Sequence, residues 1–189
     1  MTPRRGTRGR RPAGALLAAA LLAAAGALTG CASFSGTVPG CDEPLRLAIV
    51  AQSVPSASYL PCIRDLPQGW RATAFDPSQD GTSFLLDSDR SPGGPVTVRL
   101  AVTCWTGGAS PSPARAPGVL SYTRLESISP RFAGSMYDVF PGGCVSYTFD
   151  FAGGSQIALV EQFKEAVGLY PRQQLRLVLK QELGVELDQ

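Results

Sequence analysis

Five cysteines divide into one and four, and the four restrict the folds open to this chain more than any other residues. Cys31 ends an apolar N-terminal stretch, while Cys41, Cys62, Cys104 and Cys144 are spread through the residues C-terminal to it. An even set in an exported domain reads as two disulfides, with three pairings open. We favour Cys41–Cys62 with Cys104–Cys144, because each staples nearby segments. The first closes a loop of about 20 residues, worth about 3 kcal/mol in the chain-entropy model, and the second somewhat more. Four thiolates could instead hold zinc. The chain has no histidine and no Cys-x-x-Cys pair, so the disulfide reading is preferred.

The set is even only because Cys31 has another use. Residues 1–12 carry Arg4, Arg5, Arg8, Arg10 and Arg11 and no acid, a cluster that stays cytoplasmic during export. Residues 13–29 are almost wholly Ala, Leu and Gly, short for a transmembrane span of roughly 20 residues. Small residues then precede the cysteine, as signal cleavage requires. Leu28-Thr29-Gly30-Cys31 resembles a bacterial lipobox. The resemblance implies a diacylglyceryl group, with palmitate-type chains, on the Cys31 thiol and cleavage between Gly30 and Cys31. Two acyl chains suffice for stable attachment, at about 0.8 kcal/mol per buried methylene. The alternatives are an uncleaved anchor or an ordinary secretory signal cut near Ala32. Arg4-Arg5 and Arg10-Arg11 hint at twin-arginine export, but the residues after them lack the Phe-Leu character that route needs.

These readings divide the chain into a signal peptide (1–30), a Gly/Pro-punctuated tether (31–40) and one disulfide-bonded domain (41–189). The whole chain carries a net +2, but the five leader arginines account for that sign. Without them, 12 basic side chains face 15 acidic ones, a net −3. No basic field remains to attract nucleic acid or anionic lipid. The partners expected are the membrane, through the lipid on Cys31, and another envelope protein or a cell-wall polymer.

Asp42-Glu43-Pro44 offers a helix start, with Leu45, Ala48, Ile49 and Gln52 on one side, ended before Pro55. Residues 55–70, with Pro61 and Pro67, read as a loop whose Tyr59 and Leu60 pack with Trp70 on the core edge. Strand signals come next over 70–75, 83–86 and 95–104, the last with Val96, Val98, Leu100, Val102 and Cys104 on one face. Asp- and Gly-rich turns between them suggest a meander. Residues 106–118 read as a mobile surface loop. Three more strands are expected over 120–128, 131–140 and 145–151. The tail reads as two helices: one capped by Ser155 with Ile157, Val160, Phe163 and Val167 in a stripe, and one starting at Pro171 with Leu175, Val178, Leu179 and Leu183. The fold class expected is α+β, an antiparallel sheet of about five to six strands packed by two C-terminal helices and a short N-terminal one.

Gln52 to Ala57, Leu60-Pro61-Cys62, Leu66 to Trp70 and Phe140 to Tyr147 resemble segments of a group of uncharacterised actinobacterial membrane lipoproteins. The Ala-, Gly- and Arg-rich composition suits such a high-GC source. The resemblance implies a location in the cell envelope and carries no activity.

Without histidine, Ser-His-Asp, Cys-His and His-ligated metal chemistries are excluded. No Gly-x-Ser-x-Gly, Ser-x-x-Lys or phosphate-loop motif occurs, and no cofactor is expected. Gly153-Gly154-Ser155 reads as a turn and cap rather than an anion cradle. Asp76, Asp80, Asp87 and Asp89 are the best polar cluster. Convergent, they could bind Ca²⁺ or act as a glycosidase pair; splayed on separate turns beside an apolar patch, they would favour partner binding. Trp70, Trp105, Tyr122, Tyr137 and Tyr147 could line a groove, although sheet aromatics are more often core. Trp105, after a disulfide cysteine, is the candidate binding residue. The reading is a lipid-anchored, non-catalytic binding or scaffolding domain on the extracytoplasmic face of the membrane; the alternative is an envelope enzyme, or an accessory to one, acting through carboxylates.

Overall fold

The computed structural model describes residues 36–78, 80–91, 93–153 and 156–187. Cys31 with its expected lipid, and the cap expected at Ser155, lie outside the described residues. Gly36 bridges Phe75, and the Pro39 carbonyl accepts from Ile63 N–H at 3.0 Å, so the latter part of the expected tether is docked on the domain. Among the described residues no helix is long and apolar enough to cross a membrane.

The chain enters through helix α1 (Pro44–Ser53), with proline in its first turn, and a short strand β1 (Tyr59–Ile63). A meander comes after it: β2 (Trp70–Ser78), β3 (Gly81–Ser88) and β4 (Val96–Ala101). Then come β5 (Ser110–Ser112), β6 (Leu120–Ser127), β7 (Arg131–Phe140) and β8 (Gly143–Ala152). These seven strands form one antiparallel sheet in the order β2-β3-β4-β8-β7-β6-β5. It is two meanders joined where β4 pairs β8. Helix α2 (Gln156–Ala166), strand β9 (Val167–Pro171), helix α3 (Arg172–Val178) and a π-helical turn (Leu179–Leu183) complete the chain. Gly184, at φ +64°, ends that turn in the left-handed conformation glycine tolerates. The fold is thus α+β, with the expected helices on the sheet.

Period-two alternation decides which face is dry. Phe84, Val98, Tyr147 and Met136 pair in sequence across β3, β4, β8 and β7, forming one apolar row on the inner face. Phe163 of α2 packs onto that face, its ring 6.0, 5.8 and 6.3 Å from Tyr147, Phe149 and Phe151. Leu47, Val50 and Ala51 of α1, with Leu175 and Leu179 near the C-terminus, finish the core. The opposite parity carries Arg71, Thr97, Arg99, Ser146 and Thr148 and is the outer face.

Both expected disulfides form, Cys41–Cys62 and Cys104–Cys144. Several local expectations need correction. Residues 59–63 are a strand rather than loop, pairing β9 antiparallel from Tyr59↔Pro171 to Ile63↔Val167. Pro61 fits because the edge of β1 away from β9 has no strand partner, only the bridge of Gly40 to Ile63, so no N–H is needed at Pro61. Gly168, read as a helix breaker, is instead in β9; a Cβ there would sit 2.8 Å from Cys41 Sγ, so it makes room for the disulfide. Leu45 and Ile157, placed on buried stripes by their spacing, are exposed, because each helix turns a neighbouring stripe inward. Strand β4 stops at Ala101, leaving Val102 outside the sheet and exposed.

Two of the segments singled out in the sequence meet. Ser56 Oγ donates to the Gly142 carbonyl at 2.6 Å, Ser58 N–H to the Pro141 carbonyl at 3.1 Å, and Tyr59 meets Phe140 edge-on at 5.5 Å. Gly142, at φ +77°, sits in the β7–β8 turn, where a Cβ would collide with the Ser56 carbonyl oxygen. Strain and collision act together. Gly142→Ala is expected to lower stability by about 2–3 kcal/mol in urea titrations. A loss no greater than that of Gly94→Ala, where a Cβ has open space, would contradict this contact.

Candidate functional site

The segment between β4 and β6 clasps one edge of the sheet from both faces. It leaves β4 at Ala101 and is tied back by Cys104–Cys144 to the start of β8. Trp105 comes directly after, on the outer face. β5 then pairs β6, register Ser110↔Thr123 to Ser112↔Ser121, and shields the edge of β6 with three residues, a short cover for backbone groups that would otherwise be open. Beyond it the chain passes to the inner face, where Arg115 enters the core. Residues 106–118, expected to be a mobile loop, are therefore held at two points, the β5–β6 pairing and Arg115, directly after a disulfide.

On the inner face Asp138 is 1% exposed. Its carboxylate accepts from Arg115 Nη1 at 2.9 Å, Ser121 Oγ at 2.7 Å and Tyr147 Oη at 2.9 Å. Arg115 Nη2 donates to the carbonyls of Lys164 and Val167, both at 2.6 Å, completing the C-terminal end of α2 where a cation is favoured. The guanidinium also lies 5.1 Å from the Tyr147 ring centroid. Burial works against the Arg115 charge, but the Tyr147 and Asp138 oxygens outweigh it and hold its pKa above the ordinary arginine value. Burial pushes the Tyr147 phenol well above its usual range, so it stays a donor to Asp138. These groups are fully engaged with one another, which marks a structural network rather than a reactive one.

On the outer face Arg124 of β6 is stacked between two rings, 5.2 Å from the centroid of Trp105 and 5.9 Å from that of Tyr137. Its Nη2 donates to Glu126 at 3.2 Å. Gly107 lies against the indole so closely that any side chain there would overlap the ring. Trp105 is nevertheless 74% exposed, and Leu120, at 61%, extends the apolar area. The register continues it inward: Leu120 pairs Val139, Val139 pairs Cys144, and Tyr122 pairs Tyr137. Trp105 and Leu120 are thus exposed over a buried floor of Tyr137 and Cys144, beside one guanidinium, on the face opposite the one that α2 covers.

The other candidates part company. Trp70 and Tyr147 belong to the core. Trp70 Nε1 donates to Gln162 at 2.9 Å, fixing α2 to the start of β2. Tyr122 and Tyr137 join Trp105 on the outer face. The four aspartates do not converge. Asp76 pairs Ser83 near the tip of the β2–β3 hairpin, with Asp80 in the turn, whereas Asp87 pairs Arg71 near its base. Four residue steps of β3, from Ser83 to Asp87, separate the two positions, about 13 Å at ~3.3 Å per residue. Asp87 accepts from Thr73 at 3.1 Å, and Asp89 packs against Gly69, its N–H donating to the Gly69 carbonyl at 3.0 Å. No group of three or more metal-ligating side chains occurs among the described residues.

The sequence reading missed Arg115 and Asp138. A signal for Asp138 was present: it shares the inward parity of Met136 and Phe140, where an acid demands a buried cation. No protein-family model matches the chain, and no curated protein and no solved structure matches it at a significant level.

Proposed function

We propose that the protein is a lipid-anchored, non-catalytic binding domain of the cell envelope, and that it engages a partner protein through the outer face around Trp105. The observation that carries this reading is an exposed tryptophan stacked on an arginine and pinned by a disulfide. Tryptophan, tyrosine and arginine dominate the energetics of protein interfaces, and a side chain already ordered before binding loses less freedom on association. A tether through Cys31 would confine the search to the membrane surface and raise the effective concentration near membrane partners. The rival reading, an enzyme or accessory acting through carboxylates, needs Asp76, Asp80, Asp87 and Asp89 in one cleft. Their spread along the β2–β3 hairpin, with the exposed tryptophan at the opposite edge of the sheet, favours binding through the latter.

The test is a photo-crosslinking residue in place of Leu120, in living cells. One discrete protein adduct is expected, reduced about tenfold or more by Trp105→Ala, as for an interfacial hot spot. The same probe at Glu161, on α2, serves as the control and should give none. An adduct indifferent to Trp105→Ala would remove the patch from consideration. One released by wall-digesting enzymes and not by protease would replace the partner protein with a cell-wall polymer.

A further inference from the structure

A second site lies away from Trp105, in a cavity of about 400 Å³ between the turn after α1 and the start of α3, lined by Ser58, Tyr59, Pro171, Arg172, Gln173 and Arg176 among others. Among the described residues no acid lines it. Arg172 is only 6% exposed. Its Nη1 donates to the carbonyls of Ala51 at 2.8 Å and Val54 at 3.3 Å, closing the C-terminal end of α1. Its Nε is buried and has no acceptor among the described residues, and Ser58 Oγ is likewise buried without a partner there. Neither Arg172 nor Arg176 has a carboxylate within ion-pair distance among the described residues, where the other close cation–acid pairs are found. A buried cation without a counter-charge is costly, as is a buried donor without an acceptor. Arg115, the other arginine that completes a helix end, has Asp138. Arg172 has no such acid among the described residues, and burial, with the Arg176 charge adding to it, holds its pKa below the ordinary arginine value.

We infer that this cavity binds a phosphate group, with Arg172, Arg176 and Ser58 as its donors. Two guanidiniums and a hydroxyl around one cavity match a tetrahedral dianion in charge and in donor number. The volume exceeds that of bare phosphate and leaves room for the ester substituent of a small phosphomonoester or a phospholipid headgroup. The two walls are zipped by the Arg172 N–H donating to the Ser58 carbonyl at 2.9 Å and by the Tyr59↔Pro171 pairing, so the site is largely formed before ligand arrives.

The experiment titrates inorganic phosphate, at constant ionic strength, into the ¹⁵N-labelled full chain and follows arginine Nε–Hε resonances. The Arg172 signal is expected to shift saturably, and Arg176→Gln to weaken the binding about tenfold. Ser58→Ala should weaken it several-fold. Both variants leave the Arg172 bonds to α1 in place, so binding can be read even if Arg172→Met fails to fold. A shift that never saturates, or one that chloride reproduces, refutes the site, and so does unchanged affinity in Arg176→Gln. Vesicles of phosphatidylglycerol against phosphatidylcholine, with a chain that begins at Ala32 so that neither leader nor acyl anchor contributes, distinguish the source. Phosphate-competed binding to the first alone assigns a lipid headgroup. Phosphate binding without vesicle binding assigns a soluble phosphoester.

Discussion

Replacing Asp138 with alanine is expected to lower the unfolding free energy by about 3–5 kcal/mol, the range for stranding one member of a buried ion pair. The variant leaves the Arg115 guanidinium beneath the sheet with the Lys164 and Val167 carbonyls and the Tyr147 ring but without its carboxylate. It also strips Ser121 Oγ and Tyr147 Oη of their acceptor. Urea denaturation supplies the measurement. Asp138→Ala combined with Arg115→Met should fall short of the sum of the two single losses by about 1–3 kcal/mol, because the second change removes the stranded charge. Some loss persists in the double variant, since the end of α2 is then uncapped. A single-variant loss under about 1 kcal/mol would mean that the network carries little of the stability assigned to it.

Replacing residues 1–31 with a cleavable secretory leader that lacks the cysteine is expected to move essentially all of the protein from the detergent phase to the aqueous phase in a phase-partition assay of cell extracts. The reason is additive: each buried methylene of an acyl chain contributes about 0.8 kcal/mol, so losing two chains abolishes attachment rather than weakening it. Cys31→Ser alone should escape both acylation and cleavage between Gly30 and Cys31 and migrate as the precursor, still held in the detergent phase by its apolar leader. Intact mass of the native protein gives an independent reading. A product that begins at Met1 and carries no acyl group would end the proposal of lipid anchoring, and with it the confinement argument for the Trp105 surface.

The parts of this fold legible beforehand share a property: they are written in consecutive residues. Val96, Val98 and Leu100 declare a half-buried strand, Pro44 a helix start and Gly184 a helix end, and short separations favoured the two disulfides that form. The parts that escaped depend on distant partners. Val167 to Pro171 is strand only because Tyr59 to Ile63 lies beside it; alone, Val167 ends a helical stripe and Gly168 reads as its break. Arg115 looks like any loop arginine until Asp138 is opposite it, 23 positions on. Arg172 is set against carbonyls 121 and 118 positions earlier. The Trp105 surface was half legible. The residue stood out after Cys104, but Arg124 and Tyr137, which fix its ring, are reached only through the register of β6 and β7.

The bond from Arg172 to α1 has a consequence for how this chain can mature. An element near one end is completed by a side chain near the other, and β1 waits for β9 in the same way. A polypeptide threaded N-terminus first through a narrow passage cannot finish its opening third until nearly the last residue has emerged. Until then the early segments stay extensible and easy to pull through. Under the export we propose, the molecule would cross the bilayer as a strand and lock only on the far side.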